Sequence, residues 1–186
     1  MSSPPVEPPG YNKIWSCVGS AGVVNPPDLG KVIFNGSIVQ LVGLPGTSEV
    51  SGPATEAIID GQTVTATIRY GVVAVEGLYA AYYNQHSFAL SLRYRTGPGY
   101  VVAKFIQVTL NDGLESPLLT FDSRSIIGLS GNEFQLEYSN WQLVLVDFTT
   151  YAYYVELTLT GPGGSVPPLY PTAVSAVWLL TPLQEG

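Results

Sequence analysis

Residues 151–160 alternate with a period of two between two kinds of side chain. One face carries only apolar or aromatic residues, namely Tyr151, Tyr153, Val155, Leu157 and Leu159. The other face is more polar and carries Ala152, Tyr154, Glu156, Thr158 and Thr160. Such alternation is typical of a half-buried β-strand. Similar patterns at residues 62–76 and 87–95 predict strands there as well.

Residues 141–160 are predicted to form a hairpin around a loop at Thr149 and Thr150. The predicted pairs on the inward face are Phe148 with Tyr151, Val146 with Tyr153 and Val144 with Val155. The predicted pairs on the outward face are Leu145 with Tyr154, Leu143 with Glu156 and Trp141 with Thr158. That outward face is too apolar to lie in water. We therefore expect a patch made of Trp141, Leu143, Leu145 and Tyr154. We expect this patch to be covered by a second copy of the chain or by a loop of the same chain.

Turn signals separate the predicted strands. Asn111-Asp112-Gly113 is the clearest hairpin turn, because these residue types tolerate positive φ. Residues 97–99 (GPG) predict another turn, and Asn35-Gly36 predicts a turn or bulge. About nine or ten short strands without an amphipathic helix predict an all-β fold, a single antiparallel β-sandwich (jelly-roll-like). The sequence shows no internal repeat, so residues 11–186 are predicted to be one domain.

Residues 1–10 are predicted to be an extended arm, because four of them are prolines, namely Pro4, Pro5, Pro8 and Pro9. Proline-rich segments favour the polyproline II conformation and lose little freedom when they dock. We expect these prolines to pack against a neighbouring subunit.

Composition excludes several classes of partner. The net charge is −7, and only seven residues are Lys or Arg, which argues against nucleic acid and against anionic membrane surfaces. No run approaches the ~18 apolar residues of a transmembrane helix, and the chain as written begins without a secretory signal. The sequence leaves the location open between the cytoplasm and an assembled extracellular or virion particle. The single cysteine, Cys17, allows no intramolecular disulfide.

The sequence offers few candidates for catalytic or metal-binding residues. His86 is the single histidine. One histidine and one cysteine are too few ligands for a conventional zinc site. The sequence also contains no G-x-S-x-G motif of the kind that carries a catalytic serine. Five acids could converge into a carboxylate pair, although ordinary turn or edge-strand roles are the favoured explanation: Asp60, Asp122, Glu137, Asp147 and Glu156. We expect no enzyme, no cofactor and no metal.

Aromatic residues suggest a second kind of function. Tyr79, Tyr82 and Tyr83 crowd one connection, where their flat apolar bodies and polar tips suit sugar stacking as well as protein interfaces. An aromatic platform flanked by amides in one copy of the chain would favour glycan binding. An arm buried on a neighbour would favour assembly.

Several motifs resemble an uncharacterised family of small bacterial all-β proteins. They include residues 16–22 (SCVGSAG), 28–32 (DLGKV), 34–37 (FNGS), 68–70 (IRY), 74–78 (AVEGL), 120–123 (TFDS) and 152–156 (AYYVE). The resemblance covers most of the chain past Tyr11, and it implies a bacterial or bacteriophage-associated origin without an activity. The first hypothesis is therefore a non-enzymatic structural subunit that self-assembles into a homo-oligomer, a particle or a fibre. The alternative is a glycan-binding, lectin-like β-sandwich module.

Overall fold

Twelve β-strands form two antiparallel sheets in the described part of the chain. The structure is a computed structural model, and it describes residues 10–42, 63–74, 86–126, 131–163 and 168–183. The strands are β1 (Tyr11–Val18), β2 (Val23–Val24), β3 (Val32–Asn35), β4 (Ile38–Leu41), β5 (Thr63–Val72), β6 (His86–Arg95), β7 (Tyr100–Thr109), β8 (Glu115–Asp122), β9 (Gln135–Tyr138), β10 (Gln142–Val144), β11 (Tyr151–Pro162) and β12 (Ala173–Pro182). Three short 3-10 turns accompany them, at Gly19–Ala21, Pro26–Asp28 and Ser123–Ser125.

The larger sheet, here called the front sheet, is built on β12 and β6. These two strands pair with each other. The free edge of β12 is taken by β1 and β4, and β3 continues from β4. The free edge of β6 is taken by β9 and β10. The smaller sheet, here called the back sheet, has the order β2-β5-β11-β7-β8.

The core lies between the inner faces of the two sheets. Alternate residues of the long strands are buried there, including Phe88, Leu90, Leu92 and Tyr94 of β6 and Tyr153, Val155, Leu157 and Leu159 of β11. The Tyr94 ring of the front sheet meets the Phe121 ring of the back sheet edge to face, with centroids 5.2 Å apart. The predicted all-β antiparallel sandwich is therefore confirmed, with more strands than expected because several are very short.

The predicted turns are confirmed where the structure describes them. Gly113 has a φ of 72° between β7 and β8, and the Asp112 carboxylate accepts a hydrogen bond from the Leu114 amide at 3.0 Å. Gly36 has a φ of 57° between β3 and β4. The turn at residues 97–99 leads from β6 in the front sheet to β7 in the back sheet.

The predicted hairpin at residues 141–160 is wrong, although the inward face of its second strand is right. β10 pairs with β6 in the front sheet, whereas β11 pairs with β5 and β7 in the back sheet. Between them, the Asp147 carboxylate accepts hydrogen bonds from the Thr149 amide at 2.8 Å and the Thr149 hydroxyl at 2.6 Å. This local turn carries the chain across the core from one sheet to the other, so alternation identified the buried face but not the partner strand.

Two predicted features lie outside the described residues. They are the arm, of which only Gly10 is described, and the aromatic connection with Tyr79, Tyr82 and Tyr83. Within the described residues, no helix is long and apolar enough to cross a membrane.

Candidate binding site

A row of side chains crosses the outer surface of the front sheet. In the strand register, Ser16 lies opposite Trp178, Trp178 lies opposite Ser91, and Ser91 lies opposite Tyr138. The inner-face neighbours of Trp178 are Val177 and Leu179, which are fully buried, so Trp178 points outward. Two serines thus flank the Trp178 indole along the row, and one of them separates it from the Tyr138 ring.

Trp141 lies beside this row. Gln142 pairs with Phe88, so the preceding residue, Trp141, lies opposite Ala89 on the same outer surface. Its ring centroid lies 6.2 Å from that of Tyr138, with the planes tilted by 49°. Ala89 and Leu180 are 0% and 1% exposed although they point outward from the front sheet. The outer surface is therefore covered at these two positions.

Serine hydrogen bonds hold the strand segment that carries Tyr138 and Trp141. The Ser91 hydroxyl donates to the Glu137 carbonyl at 2.9 Å. The Ser139 hydroxyl accepts from the Leu90 amide at 3.0 Å, and the Ser139 amide donates to the Leu90 carbonyl at 2.8 Å. Residues between β9 and β10 are thus fixed to β6 although they are not paired as strand. The two aromatic side chains consequently stand on a braced segment rather than on a free loop.

Basic side chains border the aromatic row on both sides. The Lys13 ammonium lies 4.6 Å from the centre of the Trp178 ring, a cation–π contact. On the other side, Arg93 lies opposite Ala176 and Leu136, and its side chain is exposed. We call the surface formed by Lys13, Ser91, Arg93, Tyr138, Trp141 and Trp178 the aromatic face.

Arg95 lies farther along β6 and is held differently. Its Nε donates to the Pro171 carbonyl at 3.1 Å. Its guanidinium stands over the Phe134 ring at 5.1 Å and the Tyr170 ring at 5.8 Å. Arg95 is therefore anchored at one end of the aromatic face.

The outer surface of the back sheet has a different composition. The Arg69 Nη2 and Nε atoms donate to Glu156 Oε2 at 2.9 and 3.1 Å, and its guanidinium lies over the Tyr154 ring at 4.8 Å. Burial raises the pKa of Tyr154 to about 12. Threonines fill much of the remaining surface, in the pairs Thr65–Thr160 and Thr67–Thr158. Arg69, Glu156 and the Tyr154 ring are thus partners of one another on this surface.

The four residues predicted to form the assembly patch do not lie together. Trp141 and Leu143 point outward from the front sheet, and Leu143 is 68% exposed. Leu145 is 52% exposed in the connection after β10. Tyr154 lies on the outer surface of the back sheet, because β11 does not pair with β10. A contact between subunits at these positions stays a prediction, as does the contact predicted for Pro4, Pro5, Pro8 and Pro9, which lie outside the described residues.

The candidate carboxylates of the back sheet and the following turns have local partners. Glu156 binds Arg69, and Asp122 binds Arg124, whose hydrogen bond lowers the pKa of Asp122. Hydrogen bonds from Thr149 and Thr150 lower the pKa of Asp147. Asp122 and Asp147 thus lie at turns, whereas Glu156 lies on β11, the central strand of the back sheet.

The remaining chemical candidates are Glu137, Asp60, His86 and Cys17. Glu137 points to the inner side of β9, where burial raises its pKa. Asp60 lies outside the described residues, and His86 begins β6 with a side chain that is also outside the description. Cys17 is a free, half-buried thiol against the core, and burial raises its pKa. Within the described residues, no three His, Cys, Asp or Glu side chains are grouped for a metal ion.

Sequence reasoning missed Trp178, Tyr138, Lys13 and Arg93 as site residues. A signal was present in residues 176–180 (AVWLL), where both faces of one strand are apolar. A strand of an antiparallel sheet with one face in water normally alternates, so such a run indicates a covered outer face. The register that brings Tyr138 into line with Trp178 depends on β6, which pairs with both strands, and the sequence does not reveal that pairing.

Comparisons with known proteins give structural neighbours only. No family model and no curated protein matches the chain. Among solved structures, the chain is similar to a module described for specific mannan recognition, TmCBM27, at 12% identity and a TM-score of 0.36, over 94% of this chain and 99% of that one. It is also similar to the family 30 carbohydrate-binding module of the cellulosomal cellulase CEL9D-CEL44B of Clostridium thermocellum, at 13% identity and a TM-score of 0.36, over 95% and 99%. A third neighbour is the xylan-binding module CBM15, at 12% identity and a TM-score of 0.32, over 73% and 89%. TM-scores this low carry no argument about ligand or activity.

Proposed function

We propose that this protein is a non-enzymatic glycan-binding β-sandwich that holds its ligand on the aromatic face. The observation that carries the proposal is the cross-strand row in which Trp178 and Tyr138 stand outward with Ser91 between them. Adjacent strands lie ~4.8 Å apart, so the two backbone positions are separated by roughly 10 Å. That separation is on the scale of two hexopyranose units, which suits an extended chain of sugars.

Sugar rings and indole rings fit each other for a physical reason. One face of a pyranose ring presents mainly C–H groups, which pack against an aromatic surface, while its hydroxyl groups point outward to water or polar side chains. The Tyr138 side chain is exposed, and so is that of Asn140, which precedes Trp141 in the chain, so both can offer polar atoms to a ligand. The sheet beneath holds the rings in place, so little conformational entropy is lost when a ligand binds.

The carbohydrate-binding modules among the structural neighbours are named for ligands of this class, but the proposal depends on the face itself. A role without catalysis is supported by the described acids. Glu156 and Asp122 are in ion pairs, and Asp147 is hydrogen-bonded within its own turn. Those three acids therefore have structural roles, and none belongs to the aromatic face.

Affinity gel electrophoresis and intrinsic tryptophan fluorescence with a panel of soluble polysaccharides test the proposal. Trp178→Ala and Tyr138→Ala should each weaken binding at least about tenfold, because central aromatic residues dominate such contacts. Tyr100→Ala is the matched control, since it removes a ring from the back sheet. Wild-type protein that binds no member of a broad panel of neutral and acidic glycans would overturn the proposal.

Self-assembly is the second proposal, and the exposure of Leu143 and Leu145 supports it. Light scattering after size exclusion gives the particle mass directly. Leu145→Asp, or deletion of residues 2–10, should give a smaller particle with an unchanged circular dichroism spectrum. A full-length monomer would contradict the assembly proposal and leave the glycan proposal intact.

A further inference from the structure

We infer that the glycan recognised by the aromatic face is acidic, with carboxylate groups on its sugar rings, as in a polyuronate. The inference rests on the proposed function and narrows its ligand class. The observation behind it is the location of the positively charged side chains in this acidic protein.

Ion pairs account for three of the seven basic residues. Lys31 binds Asp28 at 2.6 Å, Arg69 binds Glu156 at 2.9 Å, and Arg124 binds Asp122 at 2.6 Å. The other four make no ion pair with a described residue, namely Lys13, Arg93, Arg95 and Lys104. Of these, only Lys104 belongs to the back sheet, so the unmatched positive charge is concentrated on the front sheet.

The strands of the front sheet provide no acid to balance this charge. Glu137 of β9 is the single acid in the described strands of that sheet, and it lies opposite Leu92, whose side chain points into the core. The outer surface of these strands is therefore purely positive in a chain whose net charge is −7. A ligand with negative charge complements it.

The positions of the two exposed cations match the shape of a uronate. A pyranose that stacks on an aromatic ring holds its carboxylate near its own ring plane, so the carboxylate projects sideways from the aromatic row. Arg93 lies two residues from Ser91 on the same face of β6, a distance of ~7 Å along the strand. An arginine side chain is long enough to span that distance. Its planar guanidinium binds a carboxylate through two parallel hydrogen bonds.

Lys13 distinguishes acidic from neutral sugars on the other side of the row. Its ammonium covers the Trp178 ring at 4.6 Å, where a stacked sugar would lie. The Lys13 side chain is exposed and has a flexible four-carbon stem, so it can swing aside. An acidic sugar gives the displaced ammonium a new partner, whereas a neutral sugar displaces it without compensation. The same residue thereby favours the acidic ligand and disfavours the neutral one.

Nucleic acid is a less suitable polyanion for this face. Its charge density is high, and a protein that binds it neutralises many phosphates with clustered Lys and Arg. The aromatic face offers Lys13 and Arg93 within a strongly acidic protein, which suits a sparser row of carboxylates.

Isothermal titration calorimetry with defined probes tests the inference. The acidic probes are hexagalacturonic acid and an alginate hexamer, and the neutral probes are cellohexaose, mannohexaose and xylohexaose. We expect the acidic probes to bind at least about fivefold tighter at low salt, with an advantage that shrinks as salt screens the charges. Lys13→Gln and Arg93→Gln should each lower the ratio of acidic to neutral affinity about two- to fivefold. Lys104→Gln is the matched control, because it removes the same charge from the back sheet and should leave the ratio unchanged.

Each outcome separates the two proposals. Neutral probes that bind as tightly as acidic ones would overturn the inference and leave the glycan-binding function standing. An equal fall in the ratio for Lys104→Gln would also overturn it, because only net charge would then matter. A single-stranded oligothymidylate that binds more tightly than either acidic probe would overturn it in favour of nucleic acid. Failure of every glycan to bind would overturn the proposed function itself.

Discussion

On the back sheet the Arg69 guanidinium lies against the Glu156 carboxylate, whereas on the front sheet the Lys13 ammonium lies against the Trp178 ring. Both outer surfaces belong to antiparallel sheets of the same sandwich and cover the same core. Yet the back surface pairs Arg69 with Glu156 within the sheet, while the front surface presents Arg93 without an outward-facing acid among the described strand residues of its own sheet.

The difference shows which side chains serve the fold and which do not. Threonine pairs and a hydrogen-bonded ion pair are ordinary means of stabilising an exposed sheet face. An arrangement of Trp141, Tyr138 and Trp178 beside unmatched cations leaves apolar and charged groups for something else to contact. The contacts of the back surface thus serve stability, and the front surface is the one on which we propose a ligand.

The largest expected effect comes from removing one tyrosine from each surface and comparing the two variants. Tyr154→Ala should lower the free energy of unfolding by about 2 kcal/mol, because Arg69 covers its half-buried ring. Tyr138→Ala should cost less than about 1 kcal/mol, because Tyr138 is 37% exposed, yet it should weaken glycan binding. Urea unfolding and fluorescence titration measure the two quantities. Equal stability losses for both variants would mean that Tyr138 is a structural ring.

A smaller effect should follow from removing one charge from each surface. Glu156→Gln should cost about 1 kcal/mol of stability in low salt, because Arg69 loses its nearest carboxylate. Arg93→Gln should change stability by less than about 0.5 kcal/mol, since it breaks no ion pair with a described residue. Thermal unfolding at low and high salt checks both. A salt-dependent loss in Arg93→Gln would reveal a carboxylate partner and weaken the contrast.

A carboxylate added to the front surface should make it resemble the back surface. Ser16 is exposed opposite Trp178, so Ser16→Glu places a negative charge near Lys13. We expect affinity for acidic hexasaccharides to fall about two- to fivefold, with little change in stability. Thr120→Glu, opposite Lys104 on the back sheet, is the control with the same charge change. If both variants bind acidic sugars equally weakly, the effect comes from net charge.

The smallest effect at neutral pH concerns the core that both surfaces share. Burial raises the pKa of Tyr94 to about 12, and the Glu137 carboxylate adds to the rise. An unfolded tyrosine ionises near ~10, so the folded protein keeps its full stability below that pH and loses stability as the pH rises towards about 12. Tyr94→Phe should change stability by less than about 0.5 kcal/mol at neutral pH and should reduce the alkaline loss. Parallel stability curves for the variant and the wild type in urea titrations between about pH 10 and 12 would contradict this.

Much of the fold could be predicted from alternation and turns, because both are local properties. The faces of β6 and β11 follow from the period of two, and the turn at Gly113 follows from residues that tolerate positive φ. The partner of each strand is a long-range property. Residues 141–160 show the difference, since Asp147 forms a local turn that resembles a hairpin signal but joins two sheets.

The candidate site was harder to predict than the fold. Apart from the apolar run around Trp178, the local sequence does not place these aromatic residues in one site. The row arises because β6 pairs with β12 on one edge and with β9 on the other. The sequence predicts aromatic stacking on sugars at Tyr79, Tyr82 and Tyr83, which lie outside the described residues, so this stays a prediction. Crowding along the chain was the signal used there, whereas the aromatic face depends on crowding across strands.

The central position of β12 determines when the aromatic face comes into existence. β12 follows the other described strands in sequence, and it bridges β6 to both β1 and β4. Domains fold as units during synthesis, and sheets with distant partners form slowly. Before β12 leaves the ribosome, Ser16 and Ser91 have no strand between them and Trp178 is absent. A stalled or truncated chain therefore lacks Trp178, even where β6 and β9 already place Ser91 opposite Tyr138. Under the proposed function, ligand capture then requires that β12 has been synthesised.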